Sequence, residues 1–446
     1  MRRRALLLLL WALQFPLLAK FKPLYNFYNY AYGTRAFSLG NAFTAVADDL
    51  SAVFWNPAGI TQIRTPEFYL SYKTMDQSQD YDLQVRETAT SRDTYTYTYS
   101  AVLNQIDFFS VAVPVGFWNV RGSFALSYYR YIPYGAKGMS LSALSISAGT
   151  EAIYRRQVRF YGSDGCDVLA FSVATALNPY VSVGITLQQF FNTGSITLIH
   201  DTAPKLYDEQ LTDKIEGRTF VFGILFHPFD FMSLGFAYHT RLHNRLDTVY
   251  LYRELDEYGQ EISKYTSTCV ADIFLPAHYS LGMRLQPLKG LGLSADFSRI
   301  AWSQGRIDNY YDKPPQLPFP RLDDYAFSQR DVENRRCGAE IALPFKKMVF
   351  FLRGGYSADR QLYVDNNDRQ VKVNGYTLGL GATVSPSLTL EVGFQRQSSV
   401  WPETGYFVDG RQVQSRYRAN VFSFAIIYDF HITGGEKNKS TLHHLH

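Results

Sequence analysis

Arginines on the small and polar faces of alternating runs are the residues of this chain best suited to ligand chemistry. A planar guanidinium takes a carboxylate in a bidentate pair of charge-assisted hydrogen bonds. Arg284 and Arg353 occupy such positions, and each is a candidate to hold the acidic head of a greasy solute. The same inward positions carry Arg121, His239, Asp296, Glu340, Glu391 and Asp429, and charges in that setting also pair with one another or with a plug. Phe37, Phe43, Phe54 and Trp55 offer an apolar ligand lining, or pack their segment against a wall. Catalysis finds no support, since no nucleophile elbow and no His at metal-ligand spacing is present. No catalytic residue, metal or cofactor is therefore assigned. His443, His444 and His446 are ligand types, yet a frayed chain end is the simpler reading. Cys166, Cys269 and Cys337 are too few for a disulfide framework.

The inward positions follow from a period of two, which dominates from Glu67 onward. Val181, Val183, Ile185 and Leu187 alternate with Ser182, Gly184, Thr186 and Gln188. Phe422, Phe424, Ile426, Tyr428 and Phe430 alternate with Ser423, Ala425, Ile427 and Asp429. One greasy face per strand fits a soluble sandwich or a membrane barrel, and the connections decide. Short ones fall near 116–118, 178–180, 228–230, 286–289, 345–347 and 385–387. Long polar ones fall near 76–103, 132–165, 193–217, 246–268, 303–332, 361–369 and 398–415. Their strict alternation is that of an outer-membrane barrel with tight periplasmic turns and long extracellular loops. Residues 66–430 are thus expected to be all-β, a 14-stranded antiparallel transmembrane β-barrel with strands of roughly 10 to 14 residues.

The aromatic load agrees, at 16% of the chain with 33 Tyr and 33 Phe. Tyr69, Tyr72, Tyr128, Tyr129, Tyr131, Tyr238 and Tyr356 are expected as interface anchors near strand ends. Charged residues are 19% and mean hydropathy is −0.17, which excludes a disordered chain and a bundle of membrane helices. A net charge of +4 with no basic stripe gives nucleic-acid binding no support.

Residues 1–19 read as a secretory signal peptide, with Arg2, Arg3 and Arg4 before an apolar run and Leu17-Leu18-Ala19 as the cleavage site. Residues 20–65 do not fit the strand pattern. Phe43, Val46, Ala47, Leu50, Val53 and Phe54 recur at helical spacing, and Pro57 and Gly59 end the run. Fourteen strands enclose a lumen too wide for its own side chains, since ~8 already give a packed interior. This segment is the available filling.

Ala36 to Ile60, "AFSLGNAFTAVADDLSAVFWNPAGI", resembles the N-terminal hatch of the FadL/TodX family of outer-membrane transporters of long-chain fatty acids and other hydrophobic compounds. The hatch motif falls on Gly40, Asp48, Asp49, Asn56, Pro57 and Ala58, and Leu275-Pro276 before an alternating strand is similar to the family's mid-barrel signature. The resemblance implies a barrel with the hatch inside its lumen. It implies a hydrophobic small molecule, a fatty acid or hydrocarbon, as solute, leaving sideways through an opening in the wall where a strand near the hatch is kinked, and the third strand is the place to look for it. No interruption is legible in that strand over 119–131. Also implied are a bilayer and lipopolysaccharide environment in the outer membrane of a Gram-negative-type bacterium, and the outer-membrane assembly machinery as partner. The 16 residues 431–446 beyond Phe430 depart from the family's usual aromatic end. Some relatives instead serve as secretion-system accessories or surface shuttles that bind protein cargo, and long loops keep that alternative open.

Overall fold

A computed structural model of the protein describes residues 32–88, 91–117, 120–147, 151–202, 205–256, 258–311, 330–364, 369–408 and 411–430. The expected signal peptide, the first residues of the hatch and the tail lie outside the described residues. Nineteen strand segments form one sheet, each antiparallel to its neighbours, and Glu67↔Asp429 pairing joins the first to the last. Five passes are split in two, so the ring has fourteen. Closure is what lipid demands, because an open edge would leave backbone groups unpaired in hydrocarbon.

The six short turns fall where Pro and Gly placed them, between Phe117 and Val120, Ala176 and Val181, Phe229 and Met232, Leu288 and Leu291, Phe345 and Met348, and Ser385 and Leu388. Strand length is a correction. The first two strands run Glu67–Thr88 and Ser91–Phe117, 22 and 27 residues, and the regions read as long loops at 76–103 and 193–217 are mostly strand ladder. Polar strands such as Lys205–Phe229 keep pairing well past the greasy band, because ladder hydrogen bonds do not depend on side-chain polarity.

Side chains alternate as the pattern required. In the last strand, Arg411–Asp429, Phe422, Phe424 and Ile426 are exposed to the lipid side, and Ser423 and Ala425 are buried inside. Not every tyrosine anchors an interface, however. Tyr72 and Tyr238 face outward, whereas Tyr69, Tyr129 and Tyr131 are buried in the lumen, where the N-terminal segment gives them apolar partners.

That segment is not one amphipathic helix. It contains α1 (Thr34–Ser38), α2 (Ala52–Trp55) and a 3-10 turn (Pro57–Gln62), separated by irregular backbone. Gly40, Asn41 and Ala47 carry positive φ of 64°, 65° and 33°, which breaks the helical run that spacing alone suggested. Nearly every residue from Tyr32 to Ile63 is buried against the inner wall.

Candidate functional site

Glycines seat the N-terminal segment. Gly184, Gly223, Gly235, Gly282, Gly338, Gly355, Gly379 and Gly393 face it from eight passes, and a Cβ on any of them would come within 2.8 Å of a segment atom. At Gly184, Gly235, Gly338 and Gly355 backbone lies on backbone, whereas Gly223, Gly379 and Gly393 make room for the side chains of Asn56, Ser38 and Phe37. Asn56 fastens the far end, donating from Nδ2 to Thr44 O at 2.8 Å and to Ile224 O of the sixth pass at 3.0 Å. Its Oδ1 accepts from Ala58 N at 3.2 Å and so caps the turn that Pro57 opens. Asp296 receives the Phe43 and Thr44 backbone N–H groups, both at 2.8 Å.

A chain of charges ties the same segment to the wall. Arg35 donates to Glu340 at 2.8 and 2.9 Å and to Asp48 at 2.6 Å. Glu340 also takes Arg353 Nε at 2.6 Å, Arg353 reaches Glu391 at 2.8 Å, and Arg284 reaches Asp48 at 3.3 Å. In the order Arg284, Asp48, Arg35, Glu340, Arg353, Glu391 the signs alternate, so each buried charge is answered. Sequence reasoning placed the wall charges inside and missed that Arg35 joins them. Its position in the α1 core is polar only because two acids wait there.

Beside the segment, the wall is interrupted. The second and third passes pair from Phe108↔Tyr129 down to the periplasmic turn, and again from Val102↔Lys137 upward. Residues 103–107 and 130–136 between them form no pairs with each other. The third pass breaks after Pro133, where Tyr134 N turns to Asp164 O at 3.0 Å. Glycines of the next passes make room for the turn: a Cβ on Gly162 would lie 1.5 Å from Tyr134 O, and one on Gly194 1.9 Å from the Tyr134 ring. Tyr134 reaches inward and its hydroxyl donates to Asp213 at 2.7 Å. The interruption sits just beyond 119–131, the expected span of the third strand. Pro133 and Gly135 were its signal, absorbed into a supposed loop.

Aromatic side chains connect the segment to this interruption. Tyr32 donates to Arg130 O at 3.0 Å and packs at 4.6 Å on Tyr129 and 4.7 Å on Phe54, between ring centroids. Phe108 continues the cluster to Tyr69 at 5.5 Å. Lys73 and Asp107 pair beneath them at 2.8 Å.

The profile of a family described as outer membrane protein transport protein (OMPP1/FadL/TodX) matches residues 29–306. The chain belongs to this family. The FadL/TodX assignment places the protein in the outer membrane of a Gram-negative bacterium as a transporter of hydrophobic compounds, in a family of transporters and channels rather than enzymes. Solved structures share the fold. A Pseudomonas aeruginosa FadL homologue is 17% identical with a TM-score of 0.60, covering 90% of this chain and 98% of that one. The Pseudomonas putida toluene transporter TodX, 11% identical with a TM-score of 0.55, and the Ralstonia pickettii toluene transporter TbuX, 13% identical with 0.54, each cover 90% of this chain and 99% of the other. No curated protein matches the sequence.

Within this FadL/TodX barrel the residues expected to meet ligand divide. Phe54 lies in the aromatic cluster next to the interruption, and Trp55 donates from Nε1 to Tyr32 O at 2.9 Å. Phe37 and Phe43 are buried side chains of the segment itself, Phe37 beneath Lys73 of the wall at 5.5 Å. Arg284 and Arg353 belong to the charge chain, with acids already on them. Cys166 and Cys337 are free thiols.

Asp49 is the segment's pH-sensitive group. Its Oδ1 accepts from Ser51 N at 2.8 Å, while burial, reinforced by the Glu391 charge, pushes its carboxyl up from 3.8 to about 7. The folded segment then keeps a proton that the unfolded chain gives up near pH 4. Asp49 therefore contributes stability that is fully present below about pH 4 and is lost as pH rises through about 7, by no more than roughly 4 kcal/mol. Proteolytic nicking of the segment is expected to rise between pH 5 and 9, and Asp49→Asn to flatten that rise. Equal pH profiles for the two proteins would remove Asp49 from this role.

Proposed function

We propose that the protein takes up uncharged apolar molecules, hydrocarbons in preference to fatty acids, and passes them sideways through the barrel wall, with residues 20–65 acting as the hatch. The observation that supports the reading is the unpaired stretch between residues 103–107 and 130–136, lined from within by Tyr129, Tyr32 and Phe108. An apolar solute gains nothing from an aqueous pore and is stabilised by keeping to apolar contacts. A lateral way out into the bilayer meets that need. Arg284 and Arg353 serve hatch retention in this reading, because a carboxylate would have to displace Asp48, Glu340 or Glu391 from them. The protein-cargo alternative loses its basis where long loops become strand ladder, as over 193–217.

Deleting residues 134–136 tests the proposal by removing the turn that holds the two passes apart. Cells carrying the deletion are expected to lose toluene uptake roughly tenfold, the scale on which a gating step limits flux. Heat-modifiable migration in a gel would show the barrel intact. Undiminished uptake by a folded deletion variant would end the lateral route, and oleate uptake matching that of toluene would end the preference for uncharged solutes.

A further inference from the structure

The periplasmic end of the lumen opens into a cavity of about 950 Å³, a size typical of small-molecule sites. Its roof is the underside of the N-terminal segment, at Thr61 and Arg64, and its walls are the periplasmic turns. The lining is two-sided in character. Leu177, Phe229 and Leu288 give it apolar surface, and Arg64, Arg121 and Lys289 give it three cations.

Among the described residues none of these three cations makes an ion pair, and Asp230 is the one carboxylate lining the cavity. Higher in the lumen every arginine of the charge chain is answered by an acid. Burial and the nearby Arg121 charge lower the pKa of Arg64, as expected where two guanidiniums crowd without an anion between them. Such an arrangement favours an incoming anion, and the apolar wall favours one that carries a tail.

We propose that this vestibule binds an amphiphile with one anionic head, a carboxylate or phosphate, and a single acyl tail. The head sits on Arg64, Arg121 and Lys289, and the tail lies along Leu177, Phe229 and Leu288. The site is separate from the wall interruption and does not rest on the lateral-exit reading.

The test uses the full-length protein in dodecyl maltoside, photolabelled with a diazirine-tailed palmitate and mapped by peptide mass spectrometry. Adducts are expected on peptides containing Leu177 and Phe229. In the Arg64→Gln, Arg121→Gln, Lys289→Gln variant those adducts are expected to fall roughly tenfold, as lost charge-assisted bonds imply. Adducts elsewhere in the lumen should persist and report a folded barrel. A diazirine-tailed hexadecanol, with the same tail and no charge, is expected to leave the vestibule unlabelled. Equal vestibule labelling of the variant, or by the alcohol, would overturn the proposal. Competition by unlabelled palmitate or by lysophosphatidic acid distinguishes a carboxylate cargo from a phosphate lipid, and competition by neither would also overturn it. Vestibule labelling is expected even if deletion of residues 134–136 leaves uptake unchanged, so the two proposals fail separately.

Discussion

Glu340→Ala is expected to loosen the N-terminal segment within the lumen and to open a path for water and ions through a barrel that still folds. Glu340 holds two guanidiniums, Arg35 of the segment and Arg353 of the wall, at 2.6 to 2.9 Å. Removing it leaves the other five groups of the chain, with Arg284, Arg35 and Arg353 set against only Asp48 and Glu391, an excess of buried positive charge. Breaking a buried pair by removing one partner costs about 3–5 kcal/mol, largely the penalty of the charge left behind. The wall does not depend on that link, since the strands around Glu340 pair through backbone on both sides. Single-channel conductance in planar bilayers, well above that of the parent protein, is the expected signature. Arg35→Met with Glu340→Met should cost less, because both ends of the strongest pair are then gone, although Asp48 and Arg353 each lose one partner. Parental conductance in Glu340→Ala would show that the charge chain does not hold the segment.

Gly355→Leu is expected to produce a comparable loosening by a steric route. A Cβ there would stand 2.3 Å from Gly40 N, and Gly40 cannot yield, since a Cβ on it would meet Tyr356 N at 2.6 Å. Two backbones are locked face to face, with no flexible side chain to absorb the intrusion. Overpacking typically costs about 1–3 kcal/mol, and a contact with backbone on both sides belongs at the upper end. Gly292→Leu is the matched control on the same barrel, for nothing lies within 4 Å of its Cβ position. Raised conductance in the first variant and parental conductance in the second would establish the glycine seats. Identical behaviour of the two would refute them.

The fold was legible because period-two runs and proline-bearing turns are local signals. Pro179, Pro228, Pro287 and Pro386 mark four of the six periplasmic turns, and the greasy face of Phe422, Phe424 and Ile426 points to lipid as alternation requires. The site was less legible, because its chemistry is long-range. Nothing near Arg35 announces Glu340, which lies 305 residues away. Seat glycines such as Gly184 and Gly223 look like ordinary small residues on a polar strand face until Pro57 and Asn56 are laid against them. The wall interruption had a local mark in Pro133 and Gly135, yet its width depends on Gly162 and Gly194 in neighbouring passes. Tyr69 and Tyr129 read as anchors for a similar reason, since alternation assigns a face correctly only when the register of each strand is known.

The route by which the chain leaves the lumen limits what opening can mean. Arg64, Thr65 and Pro66 alone separate the last buried residue of the segment, Ile63, from the first strand at Glu67. That leash is fastened at the seam of the ring, where Thr65 donates to Asp429 at 3.1 Å and Phe430 N to Pro66 O at 2.8 Å. Three residues reach no more than about 10 Å at full extension. The stopper therefore has no hinge on which to swing clear of the mouth as a body, and a passage through the lumen would have to come from partial unravelling in place.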